Sequence, residues 1–244
     1  MWSYLNNNVI RTLMSPFLMN EPNFACKLMK LFLDTADIDE ISEANTTGMI
    51  EGITTNPTLI KRSGRDPVEV IKEISSMSNQ FESVSAEVVA DTAEEMIDQA
   101  MEFEGLWNVT IKVPCTVEGL KACTALASVG RKVNVTLIFS AAQAILARRA
   151  GAAYVSPFVG RMNDNSFSGV ALVQTIASLY NQHFSTTKII AASVRDVHQV
   201  GRCFDAGAEI CTIPPKVFWG MYNHVLTDQG LEQFQQDWNS VKGL

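Results

Sequence analysis

The sequence predicts a single closed parallel α/β barrel, the (β/α)8 TIM-barrel class, with an extra C-terminal helix, and three observations predict it. Short strand-like runs alternate with amphipathic helix-like runs in eight consecutive units from Lys30 onward. The connections are short, without a long linker or a compositional break, and 244 residues is a common length for such a barrel as one domain. The GxGxxG turn that an open doubly wound sheet carries after its first strand is absent; the chain there reads Leu33-Asp34-Thr35-Ala36-Asp37.

In order, Lys30 to Thr35 reads as a strand and Asp37 to Thr47 as its helix. Gly52 to Thr55 is a short strand, after which Asp66-Pro67 caps and opens a helix to Ser78. Ser83 to Val89 is the third strand, and Asp91 with Glu94 three residues on reads as the capping box of a helix to Glu104. Asn108 to Val113 is the fourth strand, followed by a helix that Gly130 ends. Lys132 to Ile138 and Ser140 to Ala150 form the fifth unit, with Gly151 as the stop. Ala152 to Phe158 is the sixth strand; a Gly/Asn-rich stretch, Val159 to Ser168, reads as a loop before a helix to about His183. Lys188 to Ser193 and Ala208 to Ile213 are the last strands, with helices from Arg195 and Pro215. Residues 30–226 are thus expected to be the barrel and 227–244 a terminal helix, with Leu231, Phe234, Trp238 and Val241 at helical spacing. Residues 1–29, broken by Asn6-Asn7-Asn8, Pro16 and Pro22, are expected to be a disordered or loosely docked extension, with Met29 an alternative start.

Net charge of −7 speaks against nucleic acid or an anionic membrane as partner, and no apolar run reaches the length of a membrane span. Five cysteines without a CxxC pair read as free thiols in a reducing, cytoplasmic compartment. His183, His198 and His224 show no metal-ligand spacing, so neither a metal nor another cofactor is expected.

The candidate site comes from strand parity. From Val109 to Val113 the apolar residues fall on odd numbers, with Thr110 and Lys112 between them, the signature of a strand with unlike faces. A strand lysine met alone is usually a solvent-facing one. Strand by strand, however, the helix-facing set reads Leu31, Leu33, Val84, Ala86, Val109, Ile111, Val133, Val135, Ile190 and Ala192, all apolar. The opposite parity holds Asp34, Thr54, Asn56, Glu87, Lys112, Asn134, Thr136, Ser156, Phe158 and Ser193. Singly, Asp34, Asn56 and Ser193 read as helix caps, and Thr136 and Glu87 have equally plain explanations. Together they converge on the barrel mouth, where interior acids and a lysine are costly unless paired or used.

Desolvation favours a neutral lysine amine, and a neutral amine attacks carbonyls. Lys112 beside two carboxylates therefore suggests an enzyme that forms an imine with a ketone and uses it as an electron sink for carbon–carbon bond cleavage. One carboxylate would take the proton of the hydroxyl that becomes an aldehyde; another acid-base group would move water in and out of the imine. Arg161 after strand six and Arg195 after strand seven would clamp a phosphate, aided by amides at a helix N-terminus.

Five segments then carry a family resemblance: Leu33 to Asp37, Gly52 to Pro57, Ile111 to Pro114, Val135 to Gln143, and Ala191 to Ser193. They resemble the motifs of the transaldolases, most closely the short-subunit branch that also contains fructose 6-phosphate aldolase, and the likeness runs from about Lys30 to Val241. The resemblance implies that Lys112 is the Schiff-base lysine, Asp34 the acid-base carboxylate, and Glu87 with Thr136 the pair holding the catalytic water. It implies that Asn56 and Asn134 orient a dihydroxyacetone unit and that Arg161, Ser193 and Arg195 form the phosphate site; Thr54, Ser156 and Phe158, taken from the inward parity, are expected to complete the substrate pocket.

Glu87 stands where the aldolases resemble one another in having Gln, and Phe158 where they have Tyr, and both choices look like transaldolase. The implied function is transfer of a dihydroxyacetone unit from sedoheptulose 7-phosphate or fructose 6-phosphate to an aldose phosphate, in the pentose phosphate pathway. Fructose 6-phosphate aldolase is the alternative, and a non-catalytic sugar-phosphate-binding barrel a further one. Val194, Cys115 and the first 29 residues depart from the family pattern. The short-subunit branch also implies a homo-oligomer, a decamer of two pentamers, in which the C-terminal helix reaches a neighbour.

Overall fold

The structure, a computed structural model, describes residues 29–242. Of the extension expected over residues 1–29, all but Met29 lies outside the described residues. Eight parallel strands pair each with the next, and β1 pairs with β8, so the sheet closes as the sequence predicts. The first half runs β1 (Lys30–Asp34), α1 (Ile38–Asn45), β2 (Ile50–Thr54), α2 (Pro57–Ser63), α3 (Pro67–Met77), β3 (Ser83–Glu87), α4 (Ala93–Met101), β4 (Val109–Pro114) and α5 (Val117–Ser128). The second half runs β5 (Val133–Ile138), α6 (Ala141–Arg149), β6 (Tyr154–Pro157), α7 (Val159–Asp164), α8 (Gly169–Gln182), β7 (Lys188–Ala191), α9 (Val197–Asp205), β8 (Ile210–Ile213), α10 (Pro215–Gly220) and α11 (Val225–Lys242).

Local chemistry sets the helix starts. Asp37, Asp66, Thr116, Ser140, Ser168 and Asp196 each accept hydrogen bonds from amides of the first turn, satisfying donors that the helix itself leaves open. The capping box of α4 sits one residue later than expected: Thr92, not Asp91, caps the helix, and its hydroxyl also donates to Glu95. The helix expected from Arg195 begins at Val197 behind Asp196.

Two helices lie where none was expected. Asn56 caps α2 through a bond from the Leu59 amide, with Pro57 at the first helical position, a start signal that was legible in Asn56-Pro57. The stretch from Val159 to Ser168, expected as a loop, holds α7 over its first six residues.

The core lies between barrel and helices, where Leu33, Ile53, Val84, Ile111, Val135 and Val155 are fully buried against the helix faces. Each such side chain contributes roughly 1.5–3 kcal/mol by leaving water. A second, smaller cluster plugs the barrel interior: Phe32, Tyr154, Ile190 and Ile210. Gly52 makes room for it, because a Cβ there would meet the Phe32 ring at 2.7 Å.

That plug corrects the expected parity of strand seven. Ile189 and Ala191 pack toward the helices, while Ile190 faces inward and Ala192 lines the mouth. Beyond Lys188, β7 reads Ile189-Ile190-Ala191 with apolar residues on both parities, so alternation carried little contrast there from which to choose a register.

Candidate active site

At the C-terminal ends of the strands lies a cavity of about 560 Å³. All twelve residues singled out from the sequence line it. Pro57, Thr58, Leu59, Arg62, Leu137, Ala192 and Thr212 line it as well, and sequence reasoning missed them. Thr212 had the right polarity at the right end of strand eight; the α2 residues required recognition of the helix start at Asn56.

Lys112 stands at the centre, 6% exposed. In the β3–β4 register Glu87 and Lys112 are direct neighbours, which places Glu87 Oε2 2.9 Å from Lys112 Nζ. The amine also donates to the Thr55 carbonyl at 3.1 Å. The buried amine is thus held by one carboxylate and one carbonyl, both at the mouth end of adjacent strands.

Asp34 ends β1 beside Thr54 on β2. Thr54 Oγ1 donates to Asp34 Oδ1 at 2.7 Å and lies 2.5 Å from Thr212 Oγ1. Desolvation raises the Asp34 carboxyl above its ordinary value; the Thr54 bond and the Lys112 charge pull it down without cancelling that, and the Glu87 charge adds to the rise. A carboxyl so placed is suited to receiving a proton.

On the far wall, Ser156 Oγ donates to Asn134 Oδ1 at 2.9 Å. The Asn134 amide nitrogen and the Thr136 hydroxyl are buried without a hydrogen-bond partner among the described residues. Buried polar atoms of this kind are destabilising unless something occupies them in function. Asn56 is both a helix cap and a cavity residue: its oxygen is tied to Leu59 N, and its Nδ2 remains for a ligand.

Two residues at strand ends, Leu137 and Ser193, line the mouth with left-handed backbone, and alternation had placed only Ser193 there. Leu137 has φ of 59° and Ser193 φ of 57°, a left-handed conformation that is strained for side chains other than glycine. Ser193 thereby faces the cavity, while Val194, a departure from the family pattern, is buried in the core.

Phe158 lies just past β6 and precedes α7, not within a strand. Its ring sits 4.8 Å beneath the Arg161 guanidinium and packs against Phe139 at 5.7 Å. Arg195 pairs with Asp164 at 2.5 Å across the rim. Gly160 lets these segments touch: a Cβ there would fall 2.1 Å from the Ser193 carbonyl and 2.7 Å from Arg195 Nε. The first amides of α7 donate to the Ala192 and Ser193 carbonyls. The first two amides of α7 are thus already committed, and an anion at this rim would meet the arginine side chains and the Ser193 hydroxyl.

The fold and this mouth together define a barrel enzyme whose buried lysine is flanked by carboxylates, with arginines at the rim. Comparison with known proteins carries the identification further. Residues 31–244 match the family described as Transaldolase/Fructose-6-phosphate aldolase. The chain is 51% identical over 211 residues to a probable transaldolase of Paracoccus denitrificans, covering 86% of this chain and 96% of that protein. It is 48% identical over 216 residues to one of Symbiobacterium thermophilum, covering 88% and 99%, and 50% identical over 214 residues to one of a Thermoanaerobacter species, covering 87% and 98%. The chain belongs to the transaldolase/fructose-6-phosphate aldolase family and is an enzyme of that family.

Proposed function

We propose that the protein is a transaldolase that moves a dihydroxyacetone unit between sugar phosphates through an imine on Lys112. The observation that carries this is the Lys112 amine, buried at the cavity floor and 2.9 Å from Glu87 Oε2. The names of the relatives, probable transaldolases, support transfer over simple cleavage.

The residues assign the steps. Lys112 Nζ adds to the donor's C2 carbonyl, and loss of the C2 oxygen as water leaves the protonated imine. Glu87 and Thr136 flank that position and handle the water. Asp34 takes the proton of the C4 hydroxyl, the C3–C4 bond breaks, its electron pair enters the imine, and the aldose phosphate leaves. The acceptor aldehyde then reacts with the enamine carbon, Asp34 returns the proton to the new hydroxyl, and water releases the product. Asn56 and Asn134 hold the dihydroxyacetone hydroxyls; Thr54 and Ser156 orient Asp34 and Asn134. Arg161, Arg195 and Ser193 hold the phosphate.

Phe158 and Glu87 are the basis for preferring transfer. A phenyl ring covered by Arg161 offers the enamine no proton, so the intermediate persists until an aldehyde arrives. With sedoheptulose 7-phosphate or fructose 6-phosphate as donor, and glyceraldehyde 3-phosphate or erythrose 4-phosphate as acceptor, this reaction would serve the pentose phosphate pathway in the cytoplasm. Incubation with fructose 6-phosphate alone, followed by borohydride, should trap a three-carbon adduct on Lys112 with little free dihydroxyacetone. No adduct would overturn the imine, and fast release of dihydroxyacetone would favour the aldolase.

We also propose a homo-oligomer, a decamer of two pentamers. The reading that α11 packs on its own barrel finds no support in its burial: Leu231, Phe234, Trp238 and Val241 are between 57% and 71% exposed. Light scattering of the native protein should give a multiple of the 26.8 kDa chain mass; a monomer mass refutes the assembly. Among the described residues no helix is long and apolar enough to cross a membrane.

A further inference from the structure

The Thr212 hydroxyl has no part in the reaction steps above, yet it closes a hydrogen-bonded line that ends on Asp34. It projects from β8 into the barrel, 3% exposed, with Oγ1 2.5 Å from Thr54 Oγ1, which is itself 2.7 Å from Asp34 Oδ1. β8, β1 and β2 are consecutive in the closed sheet, with Phe32 opposite Thr212 and Asp34 opposite Thr54. Three side chains from three adjacent strands therefore share one line.

The direction of that line follows from counting protons. A threonine hydroxyl has one proton to donate, and a carboxylate has none. With Asp34 ionised, the Thr54 proton goes to Oδ1, so the 2.5 Å contact requires Thr212 to be the donor to Thr54. Were Thr212 an apolar residue, the Thr54 hydroxyl would be free to rotate away from Asp34 and would be a weaker donor when it stayed. Hydroxyls in series polarise one another, and the gain is largest when the chain ends on a charge.

We propose that Thr212 is a positioning residue for the catalytic carboxylate: by donating to Thr54 it commits the single Thr54 proton to Asp34 Oδ1 and leaves Oδ2 for the substrate hydroxyl. Asp34 Oδ2 has no hydrogen-bond partner among the described residues and Asp34 lines the cavity, as that division of labour requires. The charged groups facing Asp34 are Lys112 from β4 and Glu87 from β3. From β2 it accepts the Thr54 hydroxyl bond, and Thr212 on β8 reaches it through Thr54, so the hydroxyl line is the means by which β8 acts on it. The inference rests on the reading of Asp34 as the base in the proposed reaction.

Thr212→Val removes the donor and keeps the branched shape, whereas Thr212→Ser keeps the donor. In Thr212→Val the acidic limb of the kcat/KM profile should move to higher pH, so that at a fixed pH on that limb the rate falls about threefold. Thr212→Ser should keep the wild-type limb, and the plateau KM should stay unchanged in both. Thr212→Ala gives the same readout if valine perturbs the barrel. An infrared difference spectrum against Asp34→Asn follows the Asp34 carboxyl without substrate, and its titration should move the same way in Thr212→Val. An unmoved infrared titration, or a serine variant displaced as far as the valine one, overturns the positioning role. A displaced infrared titration in an enzyme without an acidic limb sustains that role and overturns Asp34 as the base.

Discussion

Replacing Lys112 by methionine should abolish transfer, lowering kcat by at least about 10⁴-fold, because the substitution keeps an unbranched apolar chain as far as Cε and removes the nitrogen that forms the imine. The variant should also lose stability. Glu87 Oε2 would lose its partner at 2.9 Å while its side chain stays only 17% exposed, leaving a carboxylate in a partly desolvated site. The cost should be on the order of 2 kcal/mol, below that of a fully buried orphan charge because the cavity gives Glu87 some access to water. Adding Glu87→Gln to Lys112→Met should recover most of that loss and none of the activity, since the two changes act on one ion pair. Steady-state assays and denaturant melts of the three proteins check both halves. Residual turnover above a few per cent of wild type in Lys112→Met would remove the imine from the mechanism.

Asp34→Asn should have opposite effects on activity and stability. Loss of the base that accepts the hydroxyl proton should lower kcat by about 10²–10⁴-fold. Stability should move the other way because desolvation raises the Asp34 carboxyl above its ordinary, unfolded-state value. A raised carboxyl binds its proton more tightly in the folded state, so its contribution is fully present below the unfolded pKa and is lost as pH rises through the folded one. Asparagine does not titrate and still offers an oxygen to Thr54. The variant should therefore match wild type in acid and become the more stable protein as pH rises toward neutrality. The same shift predicts that wild-type activity falls on the acidic side at a pH above the ordinary aspartate range. Melting temperatures of the two proteins across that range decide it: a variant less stable than wild type near neutrality would mean that the Thr54 and Lys112 contacts outweigh desolvation.

Much of the site could be read from residue order because extended chains alternate by geometry. On β4, Thr110 and Lys112 contrast with Val109, Ile111 and Val113, and the structure turns them to opposite faces. The same contrast on β3 and β5 brought Glu87, Asn134 and Thr136 to one cavity with Lys112. Where the contrast weakened, so did the inference: beyond Lys188, β7 reads Ile189-Ile190-Ala191, apolar on both parities, and Ile190 was assigned to the wrong face. Caps were legible to within a residue or two, as the shift from Asp91 to Thr92 shows. Short helices were not, because α2 and α7 span seven and six residues, too few to display an amphipathic period.

What the sequence by itself determined was the alternation of eight strands with helices, the inward set on the strands with unlike faces, and the motifs that resemble one family. Those depend on neighbours within a few positions, which covalent geometry and capping chemistry dictate. Tertiary structure alone decided which groups touch: Lys112 against Glu87 and the Thr55 carbonyl, Thr54 between Asp34 and Thr212, Arg161 over Phe158. It also decided where Leu137 and Ser193 adopt left-handed backbone, which brings Leu137 to the mouth against its parity. The reason is closure: strand stagger around the barrel sets which residues share a level, and Thr212 meets Thr54 across 158 positions of chain only because β8 returns to β1.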